Sequence, residues 1–310
     1  MRKDPSPPQT MKQLRGNLLI LAAAILWGTT GTSQALAPAG ATPPVVGALR
    51  LAVGGLALLV YAGFRRSSGS LGAELRSWPL RALLGAAVCM AAYQLCFFAG
   101  VARTGVAVGT IVGIGSAPIL GGVLGYFFRG ERPGWLWLAA TLLAVAGVGL
   151  LALPAGDSTG GAVQVDPLGL ALAAAAGGAY ATFTLFNKQL IEGRRPEAVQ
   201  AGVFLLGAAL LLPWLWTADL GWVAQPAGLL VILHLGLVTV GIGYTLFSLG
   251  LQRVPVSTAV TLTLAEPMTA GILGVVLLGE QLTLPAGLGI LLVFSGLAVL
   301  SFQAQAKNGR

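Results

Sequence analysis

"PILGGVLGYFFRGE" (118–131) and "PMTAGILGVVLLGE" (267–280) belong to one chain and align without a gap. Pro118/Pro267, Gly122/Gly271, Leu124/Leu273, Gly125/Gly274, Gly130/Gly279 and Glu131/Glu280 coincide, six of fourteen positions. The same offset sets Gly147 on Gly296 in the next apolar run. Upstream, Tyr93, Gly100 and Arg103 echo Tyr244, Gly250 and Arg253 with slips of one or two residues. Such a chain reads as two homologous halves, 1–154 and 167–310. The polar stretch "PAGDSTGGAVQVDP" (154–167) joins them, with 155–166 as the linker proper.

What each half is made of follows from composition. Of 310 residues, 56% are hydrophobic and 9% charged, where a soluble domain carries roughly 25% charged residues. Apolar runs of about 20 residues recur, the length that crosses a bilayer core of ~30 Å at ~1.5 Å per residue. Ten are expected: about 16–37, 44–64, 81–102, 106–128, 134–153, 167–190, 197–216, 227–251, 256–278 and 286–303. They are continuous rather than alternating runs of ~10 residues, which argues for helices over a β-barrel. Forty-five glycines suit close helix packing, and Gly109–Gly113 and Gly121–Gly125 are spaced as GxxxG. The expected fold is an all-α integral membrane protein.

Basic residues orient it. With the N-terminus inside, 16 of the 18 Lys and Arg fall at inner ends, Arg103 lies in an outer loop and Arg50 within the second span. The positive-inside rule then gives ten spans with both termini cytoplasmic. It also accounts for the net charge of +8 without a nucleic-acid partner. Five spans per half is an odd number, so the second half enters the membrane in the opposite sense. Inverted repeats are a transporter architecture, with the substrate site near the midplane between the halves. Arg129 and Arg132 flank the inner Gly-Glu, whereas Gly279-Glu280, now outside, has no basic neighbour.

Other features carry less. Residues 1–40 resemble a secretory signal, but the apolar stretch is long for one and Pro38 follows the "ALA" at 35–37; retention as the first span is expected. Cys89 and Cys96 are seven residues apart on one helix, about 10.5 Å along its axis and beyond disulfide reach. No metal-ligand spacing occurs, and no cofactor is implied.

"LLGEQLTLPAGLGILLVFSGLAVLS" (277–301), its partner "RGERPGWLWLAATLLAVAGVGLLAL" (129–153) and "ILWGTTG" (25–31) resemble the EamA-type drug/metabolite transporter superfamily over nearly the whole chain. The resemblance implies a ten-helix inverted-repeat exporter of small metabolites, often amino acids, in the inner (plasma) membrane. It implies a cavity lined by spans 1, 3, 4, 6, 8 and 9, and no obligatory oligomer. The chain is most similar to the aromatic amino-acid exporter branch. One departure is that Gly177-Gly178 stands where an aromatic is expected opposite Trp27.

Within that frame Glu266 is the leading site candidate. It lies about ten residues into span 9, where a charge costs at least ~2.5–3.5 kcal/mol and should face a cavity or partner. Pro267 removes an amide donor and frees the carbonyl of Thr263, so Thr263 joins the candidates. Ala117-Pro118 matches it in the first half, so the helix break is expected in both halves and the carboxylate in one. Glu266 then binds a substrate amino group, shuttles a proton, or is a structural acceptor between spans. Trp27, Tyr93, Gln94, Tyr180 and Tyr244 fall mid-span, where aromatic faces with a few polar groups suit a neutral or aromatic solute; packing is the alternative for each. Arg50 either snorkels to the interface or holds a substrate carboxylate, and His234 is a packing residue or a proton relay. Trp135, Trp137, Trp214, Trp216 and Trp222 are expected in the interfacial belt. An intramembrane protease using Ser116 and His234 lacks Gly-x-Ser-Gly, since Ala117 follows. A passive channel would leave the halves immobile.

Overall fold

A computed structural model describes residues 9–64, 77–151, 166–278 and 284–306. Linker residues 155–165 and the Gly279-Glu280 motif lie outside that set. Among the described residues all regular structure is helical. In chain order the elements are α1 (Gln9–Ala35), α2 (Pro43–Phe64), α3 (Leu80–Arg129), α4 (Trp135–Leu151), α5 (Pro167–Ile191) and α6 (Pro196–Leu210). The second half continues with α7 (Leu212–Trp216), α8 (Pro226–Leu233), a wide π-type stretch (His234–Gly243), α9 (Tyr244–Leu251), α10 (Val256–Leu262), α11 (Ala265–Leu278) and α12 (Leu284–Ala306).

Among the described residues, six helical segments are long and apolar enough to cross a membrane: Met11–Gln34, Pro43–Phe64, Leu80–Phe97, Val112–Arg129, Pro167–Ile191 and Pro226–Leu251. Shorter apolar helices, Trp135–Leu150, Pro196–Leu210 and Gly287–Val299, fall where the sequence places spans 5, 7 and 10. α10 and α11 fall on span 9.

Helical backbone continues from Leu80 to Arg129, yet α3 is not one rod. A methyl at Gly113 would sit 3.2 Å from the Phe97 ring, although sixteen residues of straight helix measure ~24 Å. Both Gly100 and Gly113 press on Ala173 of α5. The segment therefore doubles back, and its two limbs take the places of spans 3 and 4. α3 ends at Gly130, whose φ of 64° is a left-handed cap that glycine adopts without strain. That turn aims Glu131 at the start of α10. Its carboxylate accepts from Val256 N (2.6 Å), Ser257 N (3.0 Å) and Ser257 Oγ (3.0 Å), satisfying donors that a helix start leaves open.

The expected pair of helix breaks is not symmetric. α10 stops at Leu262 and α11 starts at Ala265, so Pro267 sits in the first turn of a new helix, where its missing N–H is harmless. The Thr263 carbonyl is not free: it accepts the Glu266 N–H at 2.9 Å. At Pro118 the helix runs on uninterrupted, so the break belongs to one half only.

Close packing rests on glycines in matching places. A methyl at Gly147 would meet the Gly289 carbonyl at 2.7 Å and Val293 Cγ2 at 2.7 Å; one at Gly296 would meet the Ala140 carbonyl at 2.6 Å and Ala144 N at 3.1 Å. All three pairs (140/289, 144/293 and 147/296) carry the 149-residue offset of the repeat, so α4 and α12 touch reciprocally. Gly28 and Gly177 share that offset. A methyl at Gly28 would lie 2.8 Å from the Glu266 carbonyl, and one at Gly177 would lie 2.6 Å from that of Gly113 and 3.2 Å from Ala117 N.

Basic residues gather at one end of the bundle. There Lys188 donates to the Val254 carbonyl, Arg129 pairs with Glu192, and Gln252 Nε2 donates to the Ile191 carbonyl (2.8 Å). Arg194 and Arg195 bond the carbonyls of Ser77 (3.1 Å) and Ala62 (3.2 Å). At the other end Arg103 meets Asp166 at 3.2 Å, and both it and the Leu168 N–H hold the Asp166 carboxyl below the usual carboxylate range. Trp135, Trp214 and Trp216 are exposed, as a belt requires, but Trp222 is buried against Val45 and Ile232 and is packing rather than anchor. Cys89 and Cys96 are free thiols.

Candidate substrate cavity

α1, α2, both limbs of α3, α5, α9 and the break before α11 converge on one cavity. Six of the seven residues singled out in the sequence line it: Trp27, Tyr93, Tyr180, Tyr244, Thr263 and Glu266. Its volume is about 40 Å³, enough for about three waters. A solute of amino-acid size therefore enters only when the surrounding helices part.

Each wall residue has a local reason for its place. Trp27 is fixed by its indole N–H, which donates to the Thr239 carbonyl at 2.8 Å where the wide turns of His234–Gly243 loosen the usual ladder. A methyl at Gly243 would strike Trp27 Nε1 at 2.7 Å, so the ring lies directly on that backbone. Tyr244, the next residue, packs at 4.5 Å between ring centroids. Tyr180 meets Trp27 edge-on at 6.4 Å and Tyr93 at 5.8 Å. The missing aromatic at Gly177-Gly178 is thus made good one turn further on, and Gly177 instead lets α5 approach the returning limb of α3.

Glu266 sits in the first turn of α11, where the positive end of a helix favours a carboxylate. That carboxylate makes no hydrogen bond among the described residues. Thr263 lines the cavity with its hydroxyl turned back to the Val260 carbonyl (2.7 Å).

Gln94 is the exception. It is buried and does not line the cavity; neighbours on a helix point ~100° apart, so Tyr93 facing inward turns Gln94 aside. Its Oε1 lies 3.5 Å from an Arg50 nitrogen. Arg50 itself lines the cavity and does not snorkel. Arg50 and Glu266 line the same cavity, yet no ion pair joins them among the described residues. The signal for Arg50 was in the sequence, as the one cation inside a span and clear of its inner end.

His234 shares a hydrogen bond with Thr29 Oγ1 (2.8 Å), whereas Ser116 turns to the Gly113 carbonyl (3.4 Å). Among the described residues no hydrogen bond joins the serine to the histidine.

A sequence profile described as the EamA-like transporter family matches residues 14–153 and again 167–302. The chain belongs to the EamA-like transporter family. An uncharacterized transporter, YwfM of Bacillus subtilis strain 168, is 46% identical over 291 residues, 93% of this chain and 95% of that protein. The threonine/homoserine exporter RhtA of Escherichia coli K12 is 28% identical over 279 residues, 86% of this chain and 84% of RhtA. One crystal structure superposes with a TM-score of 0.80 at 24% identity, covering 95% of this chain and 99% of that one. That likeness shows a shared fold. A multi-pass EamA-like membrane transporter is therefore the frame for the cavity.

Proposed function

We propose that this EamA-like protein is a secondary transporter that exports small metabolites, neutral and aromatic amino acids foremost, across the inner membrane by alternating access. In this reading the chain crosses the membrane ten times with both termini cytoplasmic, as inverted repeats 1–154 and 167–310 about linker 155–166. The reciprocal α4–α12 contact and the doubled family match support the repeat. The gathering of basic residues at one end of the bundle supports the orientation.

One observation carries the substrate class. An acidic side chain without a protein hydrogen bond faces a cavity walled by Trp27, Tyr93, Tyr180 and Tyr244. The carboxylate suits an ammonium group, and the rings suit an apolar or aromatic side chain. The RhtA relative, named as a threonine/homoserine exporter, agrees with an amino-acid cargo. Export of other small drugs or metabolites is the second reading, favoured by the same aromatic wall.

Counterflow in proteoliposomes with a labelled amino-acid panel tests the proposal. Saturable exchange of neutral amino acids is expected; exchange of organic cations with no amino acid competing would overturn it in favour of the second reading.

A further inference from the structure

Arg50 is the charge that a carboxylate-and-aromatic site leaves unused. It lies in α2, well inside the span, and lines the same cavity as Glu266. Its Nε is buried and without a hydrogen-bond partner. Among the described residues its one hydrogen-bond contact is to Gln94 Oε1 at 3.5 Å, beyond the usual 2.7–3.2 Å range. A guanidinium stays charged, carries five donors and matches a carboxylate two-pronged. Holding one in a membrane interior without an anion is costly. Nor does Glu266 supply that anion, although it faces the same space.

We propose that the missing anion is the substrate's own α-carboxylate. Arg50 takes the carboxylate and Glu266 the ammonium, so the site recognises the whole zwitterion. This rests on the amino-acid reading above and deepens it: Arg50 is the residue that separates amino acids from amines and amino-acid amides. Gln94 is a positioning residue. A methyl at Gly47 would lie 3.1 Å from Gln94 Oε1, so the bare glycine gives the carboxamide room to reach Arg50. The charges balance, since one cation and one anion in the wall meet one anion and one cation in the solute. A substrate lacking the carboxylate leaves Arg50 buried and unpaired, the situation in which polar sites discriminate most strongly.

The test is counterflow in proteoliposomes with phenylalanine and threonine, each beside its α-amide, and with phenethylamine. Wild type is expected to exchange at least one of the two acids at least tenfold faster than its amide. Arg50→Gln leaves Glu266 as the only charge in the wall. Exchange of the acid should then fall at least tenfold, while phenethylamine and the amides hold level or rise. Arg50→Lys should recover part of the acid flux, and Gln94→Leu should narrow the acid-to-amide ratio with the charge still present. If wild type exchanges neither acid, the amino-acid reading itself fails. If it exchanges acid and amide alike, or if folded Arg50→Gln keeps the wild-type ratio, only the Arg50 assignment falls. Should Arg50→Gln not fold, the wild-type ratio and Gln94→Leu decide alone.

Discussion

Pro118 and Pro267 hold the same place in the two motifs, but the helix runs through one and stops before the other. The packing around them is matched: Gly28 brings α1 onto the backbone beside Glu266, and Gly177 brings α5 onto the backbone beside Ala117. Proline alone is therefore not what breaks a helix here. What differs is the chemistry next to it, Ala117 on one side and Glu266 on the other. Where the carboxylate stands, the chain has ended α10, tied the Glu266 N–H to Thr263 and begun a new helix whose positive end faces the acid. The packing is duplicated; the chemistry is single.

Removing the single element should have the largest effect. Glu266→Gln keeps shape and most hydrogen-bonding capacity but abolishes the charge. Counterflow of the preferred amino acid is expected to fall at least tenfold, about 1.4 kcal/mol on the affected step, with near-normal expression. Unchanged flux would make the acid a packing residue and put the site elsewhere.

The duplicated element should respond in both halves. Gly28→Ala and Gly177→Ala each force a methyl to within 3 Å of another helix's backbone, and overpacking of this kind costs about 1–3 kcal/mol. Both should lower the melting temperature of the detergent-solubilised protein. Gly28→Ala should also depress transport at matched protein level, because the backbone atom it strikes, beside the Thr269 side chain, is the Glu266 carbonyl. Equal transport defects in the two variants would contradict the asymmetry.

Glu131→Gln tests the motif shared by both halves. It removes the charge and turns one of two accepting oxygens into an NH2 that faces a backbone N–H of Val256 or Ser257, and hydrogen bonds to charged groups contribute about 1.5–3 kcal/mol each. A melting-temperature drop of the same order as that of the glycine variants is expected. No drop at all would mean the cap is redundant.

The smallest effect belongs to the exposed Arg103–Asp166 pair. Its carboxyl is held below the usual range, first by the Arg103 bond and then by the Leu168 N–H. The stabilisation is therefore complete above the ordinary Asp pKa of about 3.9 and disappears as pH falls through the lower folded value. Asp166→Asn should melt slightly earlier than wild type at pH 6, and the two curves should converge in strong acid. A gap that widens towards low pH would reverse the sign.

The sequence made the repeat and its acidic departure legible because both are written in residue identity: a fixed offset, a Gly-Glu pair, a charge in an apolar run. Direction around a helix is written less clearly. Span ends read to within a few residues leave the facing angle open, so Gln94 was expected beside Tyr93 and is instead turned behind the wall. Arg50 was visible as a cation within a span, but only packing shows that it points into the cavity. Trp222 sits near a span end like the belt tryptophans; only the three-dimensional contact with Val45 and Ile232 distinguishes it. The uninterrupted helix at Pro118 was hidden for the same reason, since proline's consequence depends on whether neighbouring helices hold the backbone straight.

The reciprocal contact between α4 and α12 has a consequence beyond packing. Ala140, Ala144 and Gly147 meet Gly289, Val293 and Gly296 in the form of an interface between two copies of one subunit, where each patch binds its own counterpart. In a real homodimer any acid placed beside such an axis comes with its twin, and so does any arginine. A pocket on the axis would then present the same charges to both ends of its guest. Joining the copies into one polypeptide lets the two sides mutate separately. One side can keep Ala117 while the other acquires Glu266, and Arg50 need have no counterpart at all. Only after such a fusion can a site on a two-fold axis tell the head of a small molecule from its tail.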